Sequence, residues 1–223
     1  MIRIAHASDT HNHPEIITAI GALECDIIVL TGDILDNRGR MDPDGRGYRI
    51  FPRTEVAYQK MWFHAVAKDW AKAFRNRPVI YVPGNHDFIG IEPLLRENGH
   101  TNITTINRTT PSVEVFGRVF AGFREIPYMK GEWMGEAMDL APCVDRAMAC
   151  DPDILVTHAP PGGILDGPNG YGIPGLTSAL FYGSGKVTHH LFGHAHEHGG
   201  QIRVECDVTF SNAAGHVHLL DLD

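Results

Sequence analysis

The sequence predicts an α/β protein built as two packed β-sheets flanked by helices. Three observations carry that prediction. Short apolar runs rich in Val and Ile alternate with helical patterns, each early run ends in a loop rich in Asp, His or Gly, and the second half of the chain turns to closely spaced short strands. Near-continuous apolar runs are what strands covered on both faces require. With 223 residues, a chain buries roughly 70% of its unfolded surface, so one sizeable core and a single domain over residues 1–223 are expected.

In chain order, residues 2–7 (IRIAHA) read as the first strand. Pro14 suits the first turn of a helix, after which Ile16, Ile20 and Leu23 fall on one face. Residues 26–31 (DIIVLT) and 78–82 (PVIYV) are the next strands, separated by a longer helix over 54–75. Phe63, Val66, Trp70 and Phe74 lie at helical spacing there and read as a core stripe rather than a cofactor box. Residues 153–157 (DILVT) form a near-continuous apolar run like the first three, whereas from residue 102 the other strands are short and close: 102–106, 112–116, 118–123, 187–192, 201–205, 207–211 and 216–220. This spacing predicts a second, more antiparallel sheet. Two long irregular stretches interrupt the pattern, 36–53 (DNRGRMDPDGRGYRIFPR) and 159–175 (APPGGILDGPNGYGIPG). Loops of that length in a compact domain are usually functional or mobile, and Gly167-Pro168-Asn169-Gly170 reads as a turn cluster.

Composition excludes several classes of function. The 19 Lys+Arg against 27 Asp+Glu give a formal charge of −8, which argues against binding long nucleic acid through many phosphate contacts. No run reaches the ~18 apolar residues of a membrane span, and the start enters a strand pattern at once without a signal-peptide pattern, so a cytoplasmic location is expected. Cys25, Cys143, Cys150 and Cys206 have no CxxC spacing and read as core thiols. Fourteen His against four Cys places any metal chemistry on imidazole.

The chemistry concentrates at the strand exits. Ser8-Asp9-Thr10-His11 follows the first strand, Gly32-Asp33 the second and Gly84-Asn85-His86-Asp87 the third, while later strands deliver His158, His194 and His196. The carboxyl ends of strands in an open α/β sheet converge on one crevice, so these groups can meet. Asp9 and His11, like His194 and His196, sit two apart, which in extended backbone points both side chains the same way. Glycines at 32, 84 and 193 allow close backbone approach. Two carboxylates, one amide and four imidazoles are too many for one tetrahedral zinc and fit two ions. The mixed N/O set suits first-row divalent metals such as manganese, iron, zinc, cobalt or nickel. A pair of ions ~3.5–4 Å apart would share a carboxylate and a bridging water and stabilise a phosphoryl-type displacement.

In order, D-x-H, G-D, G-N-H-D, H and G-H-x-H across residues 9 to 196 resemble the calcineurin-like metallophosphoesterase superfamily. The resemblance implies a four-layer αββα sandwich of two mixed sheets. It implies one metal on Asp9, His11, Asp33 and His196, and a second on Asp33, Asn85, His158 and His194, with Asp33 as the bridge. Manganese is the first expectation for this pair of divalent ions. His86 is then left to donate a proton to the leaving oxygen, oriented by Asp87, after attack by a metal-bridging hydroxide. His13 and His198 lie beside ligand positions without a place in the series, and His6, His64, His100, His189, His190, His216 and His218 read as structural. Of the five Arg in 36–53, Arg38 or Arg40 would be the first to meet phosphate.

The segments SDTH, THAPPGGILDG and FGHAHEHGG are most similar to the small stand-alone branch with cyclic-nucleotide phosphodiesterases. GDILDNRG and GNHD depart from the G-D-x-x-D-R-G and G-N-H-E of protein Ser/Thr phosphatases. The expectation is a phosphodiesterase acting on a small nucleotide-like or cyclic phosphodiester. A phosphomonoesterase and a protein-binding scaffold of the same fold are the alternatives. A small phosphate ester is the expected partner, and neither long nucleic acid nor a membrane is.

Overall fold

A computed structural model describes residues 1–11, 13–41, 51–128, 135–183 and 185–222. In chain order its strands are β1 (Ile2–Ala7), β2 (Ile27–Leu30), β3 (Val79–Tyr81), β4 (Ile103–Thr105), β5 (Ser112–Val115), β6 (Arg118–Phe123), β7 (Ile126–Pro127), β8 (Glu136–Ala137), β9 (Ile154–Thr157), β10 (His189–Phe192), β11 (Gln201–Glu205), β12 (Val208–Asn212) and β13 (Val217–Leu222). The α-helices are α1 (Pro14–Ala19), α2 (Pro52–Phe74), α3 (Glu92–Glu97), α4 (Ala141–Met148) and α5 (Leu176–Tyr182). One sheet runs β13-β1-β2-β3-β4 and the other β11-β12-β10-β9-β6-β5, with β7 and β8 as a small separate pair.

Three apolar clusters among the described residues mark the contacts between four layers. Ile17, Ile20, Phe63, Trp70, Phe74 and Leu95 from α1 to α3 and the turn after α1 pack on Ala5, Ile28, Leu30 and Tyr81 of the first sheet. Ile4, Val29 and Ile80 of that sheet meet Phe120, Val156 and Leu191 of the second between the sheets. Cys143, Val144, Leu176 and Leu180 of α4 and α5 cover the far face of the second sheet against Phe123, Leu155 and Phe210. Because β1, β2 and the interior strands of the second sheet are covered on both sides, their runs are continuous rather than alternating. The expected αββα sandwich is the observed architecture.

Four details differ from the expectation. The second sheet is not mainly antiparallel: β6, β9, β10 and β12 are parallel, and only the outer strands β5 and β11 run against them. Crossovers through α4 and α5 make this possible, and short helices of that length leave little periodicity to read. Likewise β4 belongs to the first sheet and pairs in parallel with β3, while β13 closes that sheet against β1. In α1 the buried residue is Ile17, not Ile16, because the α-helix gives way to a 3-10 turn at Ile20–Ala22. Cys206 is exposed rather than a core thiol: it and Asp207, at φ 47° and 62°, form the two-residue tip of the β11–β12 hairpin.

The histidines at positions 6 and 190 are buried core residues. His6 bonds Ser211 Oγ and Thr31 Oγ1, each at 2.9 Å, and His190 Nε2 lies 2.8 Å from Thr157 Oγ1. No described helix is long and apolar enough to cross a membrane. Residues 42–50 of the 36–53 loop, and the Arg40 side chain, lie outside the described residues.

Candidate metal centre

Strand exits assemble the site. β1 runs out into Asp9 and His11, β2 into Asp33, β3 into Asn85 and His86, β9 into His158 and β10 into His194. Within each sheet these strands are parallel, so their exits open on one edge. The Ser8–Ala214 bridge joins the two edges, and Gly215 N–H donates to Ser8 O at 2.9 Å. Asp9 N–H donates to Gly32 O (2.9 Å) and His11 N–H to Asp33 O (3.0 Å), which lays the first exit along the second.

The packing there demands glycine. A Cβ on Gly84 would overlap Asp33 N and Oδ1, and one on Gly193 would overlap Ser8 Oγ and Asp9 Oδ2. Asp9 (φ 51°), His11 (φ 39°), Asp33 (φ 52°) and His194 (φ 66°) all adopt left-handed backbone. The extended-chain argument for residues two apart is therefore corrected. β1 ends at Ala7 and β10 at Phe192, and His196 already opens a short 3-10 turn, so the side chains converge because the chain bends. Such backbone costs roughly 1–2 kcal/mol per residue and is best tolerated by Asp, Asn and His. Clusters of this kind mark functional sites.

Among the described residues, two groups of side chains offer donor atoms within 4.8 Å of one another: Asp9 with His11 and His196, and Asp9 with Asp33 and His158. His196 Nε2 is 3.3 Å from Asp9 Oδ1, and His11 Nε2 is 4.0 Å from the same oxygen. Asp9 is common to both groups, and Asp33 Oδ2 of the second also approaches the first, 3.9 Å from His11 Nε2 as well as 3.4 Å from His158 Nε2. Asn85 Oδ1 is 3.0 Å from His158 Nε2. The ring of His194 stands 4.9 Å from that of His158, and His86 stands 5.5 Å from His11. The structure thus brings Asp9, His11, Asp33, Asn85, His158 and His196 to one pocket, with His194 and His86 at its walls. His13 instead pairs with Glu15 at the surface, and His198 falls in neither group.

Electrostatics keep the two carboxylates ionised and drive the imidazoles of His158 and His194 in opposite directions. Burial raises the Asp9 carboxyl, yet the close imidazole of His196 and the charge of His158 hold it well below the usual range. Asp33 is likewise raised by burial but pulled well below that range by the charges of His158 and His86. Burial lowers His158, while the charge and hydrogen bond of Asp33 push it up to about 9. Burial and the charge of His158 push His194 down to about 4.

The donor set fits divalent metal. Asp9 and Asp33 are 4% and 2% exposed, and Asp9 Oδ1 is a buried oxygen with no hydrogen bond of its own. Like charges buried together call for a cation. His158 donates from Nδ1 to Thr31 O (2.7 Å), which fixes the tautomer and turns Nε2 toward two oxygens, those of Asp33 and Asn85. A proton or a metal ion on Nε2 meets that demand.

Asp87 acts on the frame of the site. Its carboxylate accepts from the N–H groups of Asp33 (2.8 Å), Ile34 (3.1 Å), Leu35 (3.0 Å) and Gly84 (2.9 Å) and from Tyr81 Oη (2.8 Å). These bonds hold the second and third exits together, so Asp87 orders the loop that carries His86 through its backbone. Burial and the charge of Asp33 push the Asp87 carboxyl up to about 7.

Sequence reasoning missed the residues behind this frame: Ser8, which donates to Asp9 Oδ2 (2.6 Å), Tyr81, and Asn212, which donates to Leu165 O (3.2 Å) and Ala195 O (2.9 Å). It also missed Glu55 and Gln59 on α2. The available signal was their place one and two turns before Phe63, polar residues in an apolar stripe.

A family model described as calcineurin-like phosphoesterase matches residues 2–198. The chain belongs to that family. Every side chain of the pocket falls inside the matched span. For this calcineurin-like phosphoesterase, a metal-dependent phosphoric ester hydrolase by family, the Asp and His clusters are groups that could hold metal. A relative from Caenorhabditis elegans, UPF0046 protein K07C11.7, is 25% identical over 234 residues, covering 96% of this chain and 69% of that protein. A solved crystal structure superposes with a TM-score of 0.61 over 94% of this chain and 89% of its own at 13% identity, a likeness of fold.

Proposed function

We propose that this protein is a dinuclear phosphodiesterase that hydrolyses a small, nucleotide-like or cyclic phosphodiester. The observation that carries the reading is the placement of Asp33 Oδ2 within 4 Å of a histidine from each donor group, His11 at 3.9 Å and His158 at 3.4 Å. Asp9, His11, Asp33 and His196 would hold one ion, and Asp33, Asn85, His158 and His194 the other, manganese being the first candidate. Such ions supply an activated water near neutral pH and neutralise phosphoryl charge.

The chain's own groups do the rest. His86 N–H is held by Asp33 Oδ1 at 2.7 Å, which places a half-buried imidazole at the rim of the pocket. That position suits a proton donor to the leaving oxygen, worth about 10²–10⁴-fold. Tyr171 packs its ring 5.5 Å from His194 and brings the 159–175 loop to the same rim. Asp166 O accepts Tyr171 N–H (3.0 Å), and Gly167 O accepts Gly170 N–H (3.2 Å), so this stretch is a pinned turn. The flanking residues shared with the small stand-alone branch favour a diester over a monoester.

Turnover of bis-p-nitrophenyl phosphate against p-nitrophenyl phosphate with added manganese tests the reading. Preference for the diester is expected, and a strong preference for the monoester would make the protein a phosphomonoesterase. His86→Ala is expected to lose most turnover with metal content unchanged. Asp33→Asn is expected to lose both, because it weakens the shared ligand. An active-site metal content near zero with no turnover of either ester would leave the protein-binding scaffold.

A further inference from the structure

We propose that Gln59 is a positioning residue for His86, its side-chain amide splinting the turn that carries the imidazole. The inference rests on the reading of His86 as proton donor. Gln59 is fully buried on the core face of α2, one turn before Phe63. Its Nε2 donates to His86 O (2.7 Å) and its Oε1 accepts Phe88 N–H (2.8 Å). One amide therefore bridges the backbone on both sides of Asp87, as a neighbouring strand would. Asn37 Nδ2 donates to the same His86 carbonyl at 3.1 Å. On the opposite side His86 N–H is held by the ligand Asp33. The residue is thus gripped between α2 and the metal pocket.

A buried amide is a costly choice in an apolar stripe and persists only where both its halves are bonded. The neighbouring polar residue on the same face, Glu55, serves the adjoining segment: Arg38 N–H (2.8 Å) and Gly39 N–H (3.0 Å) donate to its carboxylate. Together they make α2 a rigid bar against which the loops after Asp33 and Asn85 are set. Reach and angle at a general acid matter steeply, since displacement by about 1 Å costs on the order of 10²-fold.

The test compares wild type, Gln59→Met, Gln59→Glu and His86→Ala in the full-length protein. The substrates are the p-nitrophenyl and phenyl versions of the ester class that wild type turns over, bis-p-nitrophenyl and diphenyl phosphate for a diesterase. Phenolate is the poorer leaving group and depends more on a proton donor. Gln59→Met is expected to keep wild-type metal content and KM, to exchange its 86–88 backbone amides faster in protein stripped of metal, and to lose at least about tenfold more kcat on the phenyl ester than on the p-nitrophenyl ester. Gln59→Glu keeps the acceptor for Phe88 N–H and loses the donor to His86 O once its buried carboxyl ionises, so assayed at alkaline pH it should show the same selectivity to a smaller degree; it answers alone if the Met variant does not fold. Equal losses on both esters, or wild-type turnover, in the Gln59 variants while His86→Ala is selective would overturn the positioning role and leave His86 in place. A non-selective His86→Ala would remove the proton-donor reading and this inference with it.

Discussion

Gly84→Ala probes how the pocket is assembled. The added Cβ would overlap Asp33 N and Oδ1 and sit 2.8 Å from Asp33 Cγ, where carbon atoms ordinarily rest ~3.5–4.0 Å apart. Relief takes a shift of about 1 Å. Asp33 has little room to give it, because its N–H is bonded to Asp87 Oδ2 and its Oδ1 to His86 N–H. Overpacking of this sort costs about 1–3 kcal/mol in stability, and, with Asp33 as the proposed shared ligand, a shift of about 1 Å costs on the order of 10²-fold in turnover. At Gly90, by contrast, an added methyl would meet nothing within 4 Å, so Gly90→Ala should stay within about 0.5 kcal/mol of wild type. Urea midpoints with elemental analysis of bound metal separate the two. Matching midpoints and metal content for both variants would refute the claim that Asp33 is wedged against the third exit.

Acid sensitivity should trace in part to His190. Burial pushes this imidazole down to about 3, below its ordinary 6.5, so the unfolded chain takes a proton that the folded chain refuses. Stability from this group is intact above pH 6.5 and is lost as pH falls toward 3; between pH 6.5 and 5 the loss approaches about 2 kcal/mol. His190→Phe, packed between Phe192 and Phe210, should flatten that part of the pH–stability curve, and an unchanged slope counts against it. Chelation should lower the thermal midpoint as well as activity, since Asp9 and Asp33 are left buried side by side. Metal at a hundred times its Kd contributes about 2.7 kcal/mol, and manganese should restore the midpoint. Trp70→Phe should cost much less than the ~3–5 kcal/mol of Trp70→Ala by urea unfolding, because the buried indole N–H has no acceptor and its loss offsets part of the lost packing.

The strands with two covered faces were legible because burial leaves an uninterrupted apolar run, as in IRIAHA and DIIVL. The direction of pairing was not. β6, β9 and β10 look alike whether they run with or against one another, and the connecting α4 and α5 span only 8 and 7 residues. Residue types at the strand exits marked the pocket, since Asp9, Asp33 and His158 have no reason to be buried apart from one another. The bends that bring them together were invisible: a left-handed φ at Asp9 or His194 leaves no trace in composition. Asp87 was marked by its place in the GNHD block and Gln59 by its polarity in an apolar stripe, but what each holds was hidden, because their partners are backbone groups, which every residue carries.

The left-handed backbone at Asp9, His11, Asp33 and His194 also decides how mutagenesis of this pocket must be read. Alanine at any of them removes a donor atom and at the same time puts a residue ill suited to that conformation at the bend, so a dead alanine variant confounds lost ligation with a misdirected chain. Asparagine accepts the same twist as aspartate and differs chiefly in charge. Asp9→Asn and Asp33→Asn therefore isolate the carboxylate's electrostatic role, and an alanine scan across the same residues would overstate it.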